Sequence, residues 1–309
     1  MSASTLVLTG ARPDRVGRHH VRQLAAIEAR RYAFRASIWI GWAATVLMAA
    51  TSHPDWPGGS YENVLPLSFG PMALCVYIAG ARTGSRDMDS DLPPLAPEAP
   101  VDLDDRLAAR LLGLAMPIAL TFVTAIGIAV VARIEGGFWM GEFPRRTDTA
   151  QYSPLEIIQP PLMIALAGAL GVVTGLVFRR PLLAIFTGAF VWFLLFPAYW
   201  VWNIPPLNVT TPAQIMPLRV PLPDVVSIRE TPTGWHVNYP GEYNEHFERD
   251  LVHLPTVAFH NLYLVGLIMV VAAGAARAYR RPVRFAGIAV VIVGVVAQLA
   301  VSPHGWPPG

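Results

Sequence analysis

Of all the residues in the sequence, three histidines come closest to the spacing that a metal-binding site needs. His246, His253 and His260 recur at intervals of seven, which would align their imidazole rings on one face of a continuous helix. Such a face could bind zinc, because imidazole nitrogen is a common zinc ligand. Pro255, however, is expected to begin a new helix, and a proline inside a helix interrupts it. We therefore predict interfacial histidines and no metal site; the zinc-protease motif HExxH is also absent from the sequence.

A nucleotide site is not indicated either. A phosphate-binding loop needs a lysine beside the terminal phosphates, and all 23 basic residues are arginine. The single cysteine, Cys75, cannot supply an internal disulfide or a thiolate metal cluster. A net charge of +2 gives no reason to expect a nucleic-acid partner. We predict no catalytic residues, no cofactor and no enzymatic activity of the chain's own.

A polar cluster, His260, Asn261 and Tyr263, lies near the start of a long apolar run. One interpretation is an anchor at the membrane interface. The other is an outer gate or a polar patch on a translocation path. The apolar runs contain no Asp or Glu, whereas ion-coupled carriers usually keep an ionisable group within the membrane. This absence weakens the case for a secondary transporter.

The elements that position these residues are apolar segments of helical length. Charged residues make up 14% of the 309 residues, against about 25% in a soluble domain. A helix crosses a bilayer with about 20 apolar residues. Seven apolar runs are present: 36–52, 64–80, 107–132, 157–178, 181–202, 254–276 and 285–302. The sequence therefore predicts an all-α polytopic membrane protein with seven transmembrane helices.

The fourth and fifth runs set the orientation. Only Arg179 and Arg180 separate them, which predicts a tight helical hairpin whose tip is cytoplasmic. With the N-terminus inside, 17 arginines are cytoplasmic and 6 are outside, as the positive-inside rule expects. Exclusive use of arginine is typical of GC-rich bacterial genomes. We therefore expect a bacterial cytoplasmic-membrane protein with a cytoplasmic N-terminus and an outer C-terminus.

This topology predicts three domains. Residues 1–35 would be a cytoplasmic segment with a basic amphipathic helix over 17–35. Residues 36–276 would form a six-helix membrane domain, and residues 277–309 would add a cytoplasmic turn, a seventh crossing and an outer tail. The membrane domain includes an acidic, proline-rich cytoplasmic segment at 81–106 and an outer segment at 203–253, where Thr233 and Gly234 between β-rich flanks predict a small hairpin.

Gly171 and Gly175 form a GxxxG pattern in the fourth run. Small residues at this spacing let two helices pack closely. We expect the partner to be a neighbouring helix of the same chain, and a dimer seam is the alternative.

Three stretches resemble the membrane subunit of ABC-2-type transporters, as found in high-GC Gram-positive bacteria. IEARRYAFR at 27–35 is similar to the amphipathic elbow helix that opens these permeases. GSRDMDSDLPPLAPEAPVDLDDRLAARLLG at 84–113 lies where they carry a cytoplasmic segment that docks on the ATPase. The stretch 153–206 is similar to their fourth and fifth crossings and the start of a large outer segment. The seventh crossing and the acidic, proline-rich docking segment depart from the family pattern.

This resemblance implies a function. The chain would be the transmembrane subunit of an ATP-driven exporter. Its substrate is not given by the sequence, although apolar walls with few charges would suit an amphipathic one. A separate ATPase would supply the energy, and a second permease would complete a homodimer or heterodimer. The resemblance places the ATPase-docking contacts at Arg86, Asp87, Asp102 and Asp105. The alternative is a non-transporting membrane scaffold or sensor that uses 203–253 as a binding module.

Overall fold

The computed structural model describes residues 13–51, 65, 69–86, 103–140, 147–178, 180–202, 207–210, 219–222, 235–237, 249–275 and 280–301. Helices make up most of this part of the chain. They are α1 (Pro13–Ala33), α2 (Ala36–Thr51), α3 (Gly70–Gly84), α4 (Leu103–Gly113), α5 (Ala115–Ile134), α6 (Pro154–Phe178), α7 (Pro181–Trp202), α8 (Leu254–Ala275) and α9 (Arg280–Val301). A 3-10 turn, Leu207–Thr210, follows α7.

Each apolar run of the sequence coincides with a helix, but several boundaries differ. The second run begins at 64, whereas α3 begins at Gly70, with Pro71 in its first turn where a missing backbone N–H does no harm. The third run is divided between α4 and α5 at Leu114. The fourth run begins at 157, whereas α6 begins at Pro154 and so includes Glu156 in its first turn.

Several of these helices are suited to a membrane. Among the described residues, four helical stretches are long and apolar enough to cross one, namely Asp104–Ile134, Pro154–Phe178, Leu254–Ala275 and Arg280–Val301. A fifth is possible if the bent pair His20–Ala33 and Ala36–Thr51 is one span. The outward faces of α5 and α9 expose large apolar side chains such as Val123 and Val296, which water would not favour. The count of seven crossings stays a prediction.

The first two helices form a bent pair. α1 begins at Pro13, four residues before the predicted amphipathic stretch, and ends at Ala33. α2 then leaves at 59° to the direction of α1. α1 packs mainly on α4 rather than on the long helices, so α1 and α4 lie together against one end of the bundle.

α6 is the central helix, and it packs on α3, α8, α5 and α7. α3 runs parallel to it, since Gly80 lies beside Gly168 and Gly84 beside Val172. α8 is also parallel, because both helices begin where Asn261 bonds to the Leu155 carbonyl. One end of the bundle, where these three helices begin, contains the buried His260 and is called the His260 end. The opposite end contains the buried Glu28 and is called the Glu28 end.

Glycines allow the backbones of α3 and α6 to touch. A Cβ atom added at Gly171 would overlap the Tyr77 carbonyl oxygen, and one at Gly175 would overlap the Ala81 carbonyl oxygen. On α3, a Cβ atom at Gly84 would overlap the Val172 carbonyl oxygen. Such close approach is what small residues at helical spacing permit. We call this contact the glycine seam; it lies within one chain.

α8 and α9 pack antiparallel. Gly266 of α8 lies against Val291, and Gly287 of α9 lies against Val270. Gly294 lies against the backbone of Tyr263. The glycines of α9 and Gln298 recur at helical spacing, so they form one face that contacts α8.

Short strands lie between the helices. β1 (Phe138–Met140) pairs antiparallel with β2 (Thr147–Ala150) after α5. The turn between α5 and β1 uses Gly136 and Gly137 at φ 92° and 126°, values that glycine adopts without strain. In the segment before α8, β3 (Arg219–Leu222) and β4 (Trp235–Val237) both pair antiparallel with β5 (Arg249–His253), in the order β3-β5-β4. The predicted hairpin at Thr233 and Gly234 lies outside the described residues.

Candidate functional site

A buried hydrogen-bond network joins α8 to α9 at the His260 end. The His260 Nδ1 and Gln298 Oε1 atoms are 3.0 Å apart, and both side chains are fully buried. The Gln298 Nε2 group donates to the carbonyls of Val209 and Gly294. These two bonds fix the orientation of the amide, so Oε1 must accept and His260 Nδ1 must carry the proton. We call His260, Asn261, Tyr263 and Gln298 the histidine cluster.

The 3-10 turn after α7 covers this cluster. The Tyr263 hydroxyl donates to the Thr210 carbonyl over 2.8 Å, and the neighbouring Val209 carbonyl accepts the bond from Gln298 over 3.3 Å. The Val209 side chain is itself buried. Two carbonyls of one short turn are therefore held by α8 and α9, which anchors this turn to the bundle.

Asn261 connects the cluster to the start of α6. Its Nδ2 group donates to the Leu155 carbonyl over 2.8 Å. Two residues earlier, α6 begins with a capping box: the Ser153 N–H donates to Glu156 Oε2 over 2.7 Å, and the Glu156 N–H lies 3.4 Å from the Ser153 hydroxyl. The motif S-x-x-E is visible in the sequence as a helix-start signal, but it lies just before the fourth apolar run, so hydrophobicity alone does not reveal it.

Glu156 is fully buried and lies close to Tyr152. Burial, and secondly the negative charge of Glu156, raises the pKa of the Tyr152 hydroxyl well above its ordinary value, while a backbone hydrogen bond with Leu65 acts in the opposite direction. Tyr152 therefore stays protonated at neutral pH. The carboxylate of Glu156 serves the helix start, where the helix dipole also favours negative charge.

Gln159 is the least satisfied polar side chain among the described residues of this end. It is fully buried, and neither its Oε1 nor its Nε2 atom has a hydrogen-bond partner among the described residues. Leu155 and Leu162 lie four and three residues away, so Gln159 shares the face of α6 that contacts α8. The Asn261 Oδ1 atom also lacks a partner there. A buried amide without partners costs about 1–3 kcal/mol, which a bound polar group would offset.

The three residues predicted from sequence, His260, Asn261 and Tyr263, therefore lie together, but each forms a hydrogen bond with a different element. His260 bonds to α9, Asn261 to α6 and Tyr263 to the 3-10 turn. The arrangement can donate and accept hydrogen bonds. Within the described ranges no group of three His, Cys, Asp or Glu side chains could hold a metal ion. Gln298 and Gln159 were not singled out from the sequence, because one amide inside an apolar run carries no motif.

A second charged site lies at the Glu28 end. Arg86, just after α3, places its Nη1 atom 3.0 Å and 3.3 Å from the two carboxylate oxygens of Glu28 on α1. Arg31 bonds to the same carboxylate over 2.5 Å. The Arg35 guanidinium, at the bend before α2, donates to the Ala79 carbonyl of α3. We call Glu28, Arg31, Arg35 and Arg86 the Glu28 cluster; it ties α1 to the end of α3.

The predicted docking residues are only partly described. Arg86 is engaged with Glu28, and its side chain is 34% exposed. Asp105 lies in the first turn of α4, where its charge favours the helix start. Asp87 and Asp102 lie outside the described residues. Gly171 and Gly175 lie in the glycine seam against α3.

The fold and both sites define a bundle of apolar helices, and within the described ranges four or five of these helices could span a membrane. Comparisons with models of protein families, with curated proteins and with solved structures find no match to this chain. These comparisons therefore assign no family.

Proposed function

We propose that the chain is the transmembrane subunit of an ATP-driven transporter of the ABC-2 type, an exporter for an amphipathic substrate. In this proposal seven helices cross the bacterial cytoplasmic membrane, and the Glu28 end is cytoplasmic. A separate ATPase binds there and supplies the energy. The Glu28 cluster is the observation that carries the proposal. It joins α1, which lies outside the long-helix bundle, to α3, which lies inside it.

A coupling element must contact the ATPase and must move together with the crossings, so that it biases two states of the bundle. α1 meets the second requirement, because Arg86 and Arg35 connect it to α3. α3 is joined in turn to α6 by the glycine seam. α6 reaches the histidine cluster at the far end through the Leu155 carbonyl. A displacement at the cytoplasmic end therefore has a continuous packed route to the outer end.

Within this mechanism the histidine cluster serves as the outer gate. Three of its bonds hold the 3-10 turn and the start of α6 in place. Gln159, whose amide has no partner among the described residues, lies on the same side and offers hydrogen bonds to a polar part of the substrate. The surrounding apolar side chains, such as Leu162 and Leu264, suit an amphipathic molecule.

The test is purification of the tagged full chain from its native host in mild detergent, followed by mass spectrometry. We expect an ATPase that carries a phosphate-binding loop to co-purify in stoichiometric amount. Asp105→Asn should reduce its retention, and the matched change Arg133→Gln, at the opposite end of the bundle, should not. Purification of the chain alone, even after crosslinking, would contradict the proposal.

The segment before α8 supports a second candidate, a membrane scaffold or sensor. β5 ends at His253 and α8 begins at Leu254, so the three-stranded sheet passes without a loop into a helix of the bundle. A ligand that moved the sheet would act directly on α8. This candidate predicts that residues 203–253 bind a partner and that no ATPase co-purifies; retention of an ATPase by the full chain would exclude it.

A further inference from the structure

The start of α9 carries an arginine cluster that has no acidic partner among the described residues. Arg280, Arg281 and Arg284 are all exposed. Within the described part of the chain, none of them makes a salt bridge or a hydrogen bond. Three like charges within two helical turns repel one another, and the helix N-terminus adds a partial positive charge of its own. An anion at this position would remove both penalties.

A cavity lies beside these arginines. Its volume is about 430 Å³, and it is lined by Arg280, Arg281, Arg284, Phe285 and Ile288. Arg281, Arg284 and Ile288 recur at helical spacing and so share one face of α9. The Phe285 side chain is 69% exposed. The wall of the cavity is almost wholly apolar, so the three arginines contribute mainly the aliphatic parts of their side chains to it.

The cavity lies where a phospholipid headgroup would meet its acyl chains. α9 starts at the Glu28 end, because it runs antiparallel to α8, which finishes there. Beyond the cavity, α9 exposes Ile292, Val293 and Val296 along its outward face, as a helix does towards lipid tails. The order along the helix is thus arginines, then an aromatic ring, then an aliphatic surface.

We propose that this cavity binds the upper acyl chains of an anionic phospholipid, whose phosphate headgroup binds to the three arginines at the helix start. The guanidinium groups would contact the phosphate oxygens, which they match in geometry and charge. Phe285 and Ile288 would pack against the first carbons of the acyl chains. Basic pockets of this kind recognise anionic lipids at membrane surfaces. The proposal depends on the membrane location of α9 and is independent of the ATPase and of the transported substrate.

The test is lipid binding to the purified full chain in detergent, measured by native mass spectrometry with phosphatidylglycerol and with phosphatidylcholine. We expect a clear preference for phosphatidylglycerol. The triple variant R280Q/R281Q/R284Q should lower that preference roughly 100-fold, since each basic residue near an anionic surface contributes about fivefold. The control variant R22Q/R30Q/R180Q, which removes three other exposed arginines, should leave it unchanged.

Two further measurements separate lipid binding from a failure to fold and from the binding of free phosphate. R280K/R281K/R284K retains the positive charge that helps to orient α9, so it should fold and should keep part of the preference. Inorganic phosphate in millimolar excess should displace little phosphatidylglycerol, because it lacks the contacts to Phe285 and Ile288. Equal binding of the two lipids, an unchanged preference in the glutamine variant, or full displacement by phosphate would each overturn the proposal.

Discussion

Tyr77 on α3 donates a hydrogen bond to the Ala184 carbonyl of α7 over 2.8 Å. The same hydroxyl lies 2.9 Å from the Thr174 hydroxyl of α6, so one side chain connects three helices. The aromatic ring fits because residue 188 is a glycine: a Cβ atom there would overlap the ring. Tyr77 thus fastens α7 to both α3 and α6.

Gly188→Ala should displace this ring and break the contact. We expect a loss of about 1–3 kcal/mol, which is typical when a methyl group is forced into a filled site. Thermal unfolding of the full chain in detergent measures it. Gly127→Ala is the matched control, because nothing lies within 4 Å of its added Cβ atom and alanine is the better helix former. Equal melting temperatures for the two variants would contradict the packing at Tyr77.

The glycine seam makes a prediction about oligomeric state as well as stability. Gly171→Ala should force α6 away from the α3 backbone and destabilise the chain by about 1–3 kcal/mol or more. Gly274→Ala should be nearly neutral, because its added Cβ atom finds only ordinary contacts at 3.5–3.6 Å. Light scattering should show the same particle mass for both variants. A change of mass caused by Gly171→Ala alone would instead indicate a dimer seam.

The seam also shows what the sequence could predict. The spacing of Gly171 and Gly175 indicates a close helix contact, and apolar runs of sufficient length place most of the helices. The partner glycines on α3, Gly80 and Gly84, lie 91 residues before Gly171 and Gly175, and no local pattern connects the two pairs. Sequence alone therefore predicts that α6 packs closely, but not on which helix.

Only part of the histidine cluster could be predicted from the sequence, and the reason is the same. His260, Asn261 and Tyr263 are neighbours in sequence, so their grouping is visible there. Gln298 is 38 residues further on and lies in the seventh apolar run, where a single amide does not stand out. The capping box at Ser153 and Glu156 did have a local signal. It shifts the start of α6 to Pro154, because side chain–backbone bonds, rather than hydrophobicity, determine where this helix begins.

The pair of His260 and Gln298 should be energetically coupled. Gln298→Leu removes the acceptor of His260 and the donor to Val209, so we expect a loss of about 1–3 kcal/mol. In the double variant with His260→Leu, both polar partners are gone, and the total loss should be smaller than the sum of the single losses. Thermal unfolding of the four proteins measures the coupling, with the exposed Leu299→Ala as the neighbouring control. Additive losses would show that the two side chains do not interact.

Gln159 should behave in the opposite way to Gln298. Because its amide has no partner among the described residues, Gln159→Leu should leave stability unchanged or increase it by about 1 kcal/mol. If Gln159 contacts the transported substrate, the same variant should lose transport or substrate-stimulated ATPase activity. Melting temperature and activity measured on one preparation separate the two effects. A clear drop in melting temperature would mean that the native amide has a stabilising contact.

Glu28→Gln should release α1 from the bundle while most of the bundle stays folded. The amide keeps the shape of the carboxylate but not its negative charge. The cationic Arg31 and Arg86 therefore lose the counter-ion that they share. Because Glu28 is almost fully buried, we expect a local loss of about 1–3 kcal/mol, as for a buried charged hydrogen bond. Limited trypsin digestion reports it directly, since α1 is rich in arginine and should be cut faster once it separates from α3 and α4.

Arg22→Gln, on the exposed face of the same helix, removes a charge without touching the ion pair and should leave the digestion rate close to that of the native chain. Equal rates for Glu28→Gln and the native chain would mean that packing on α4 alone holds α1 in place, and the ion pair would then be unable to couple α1 to α3.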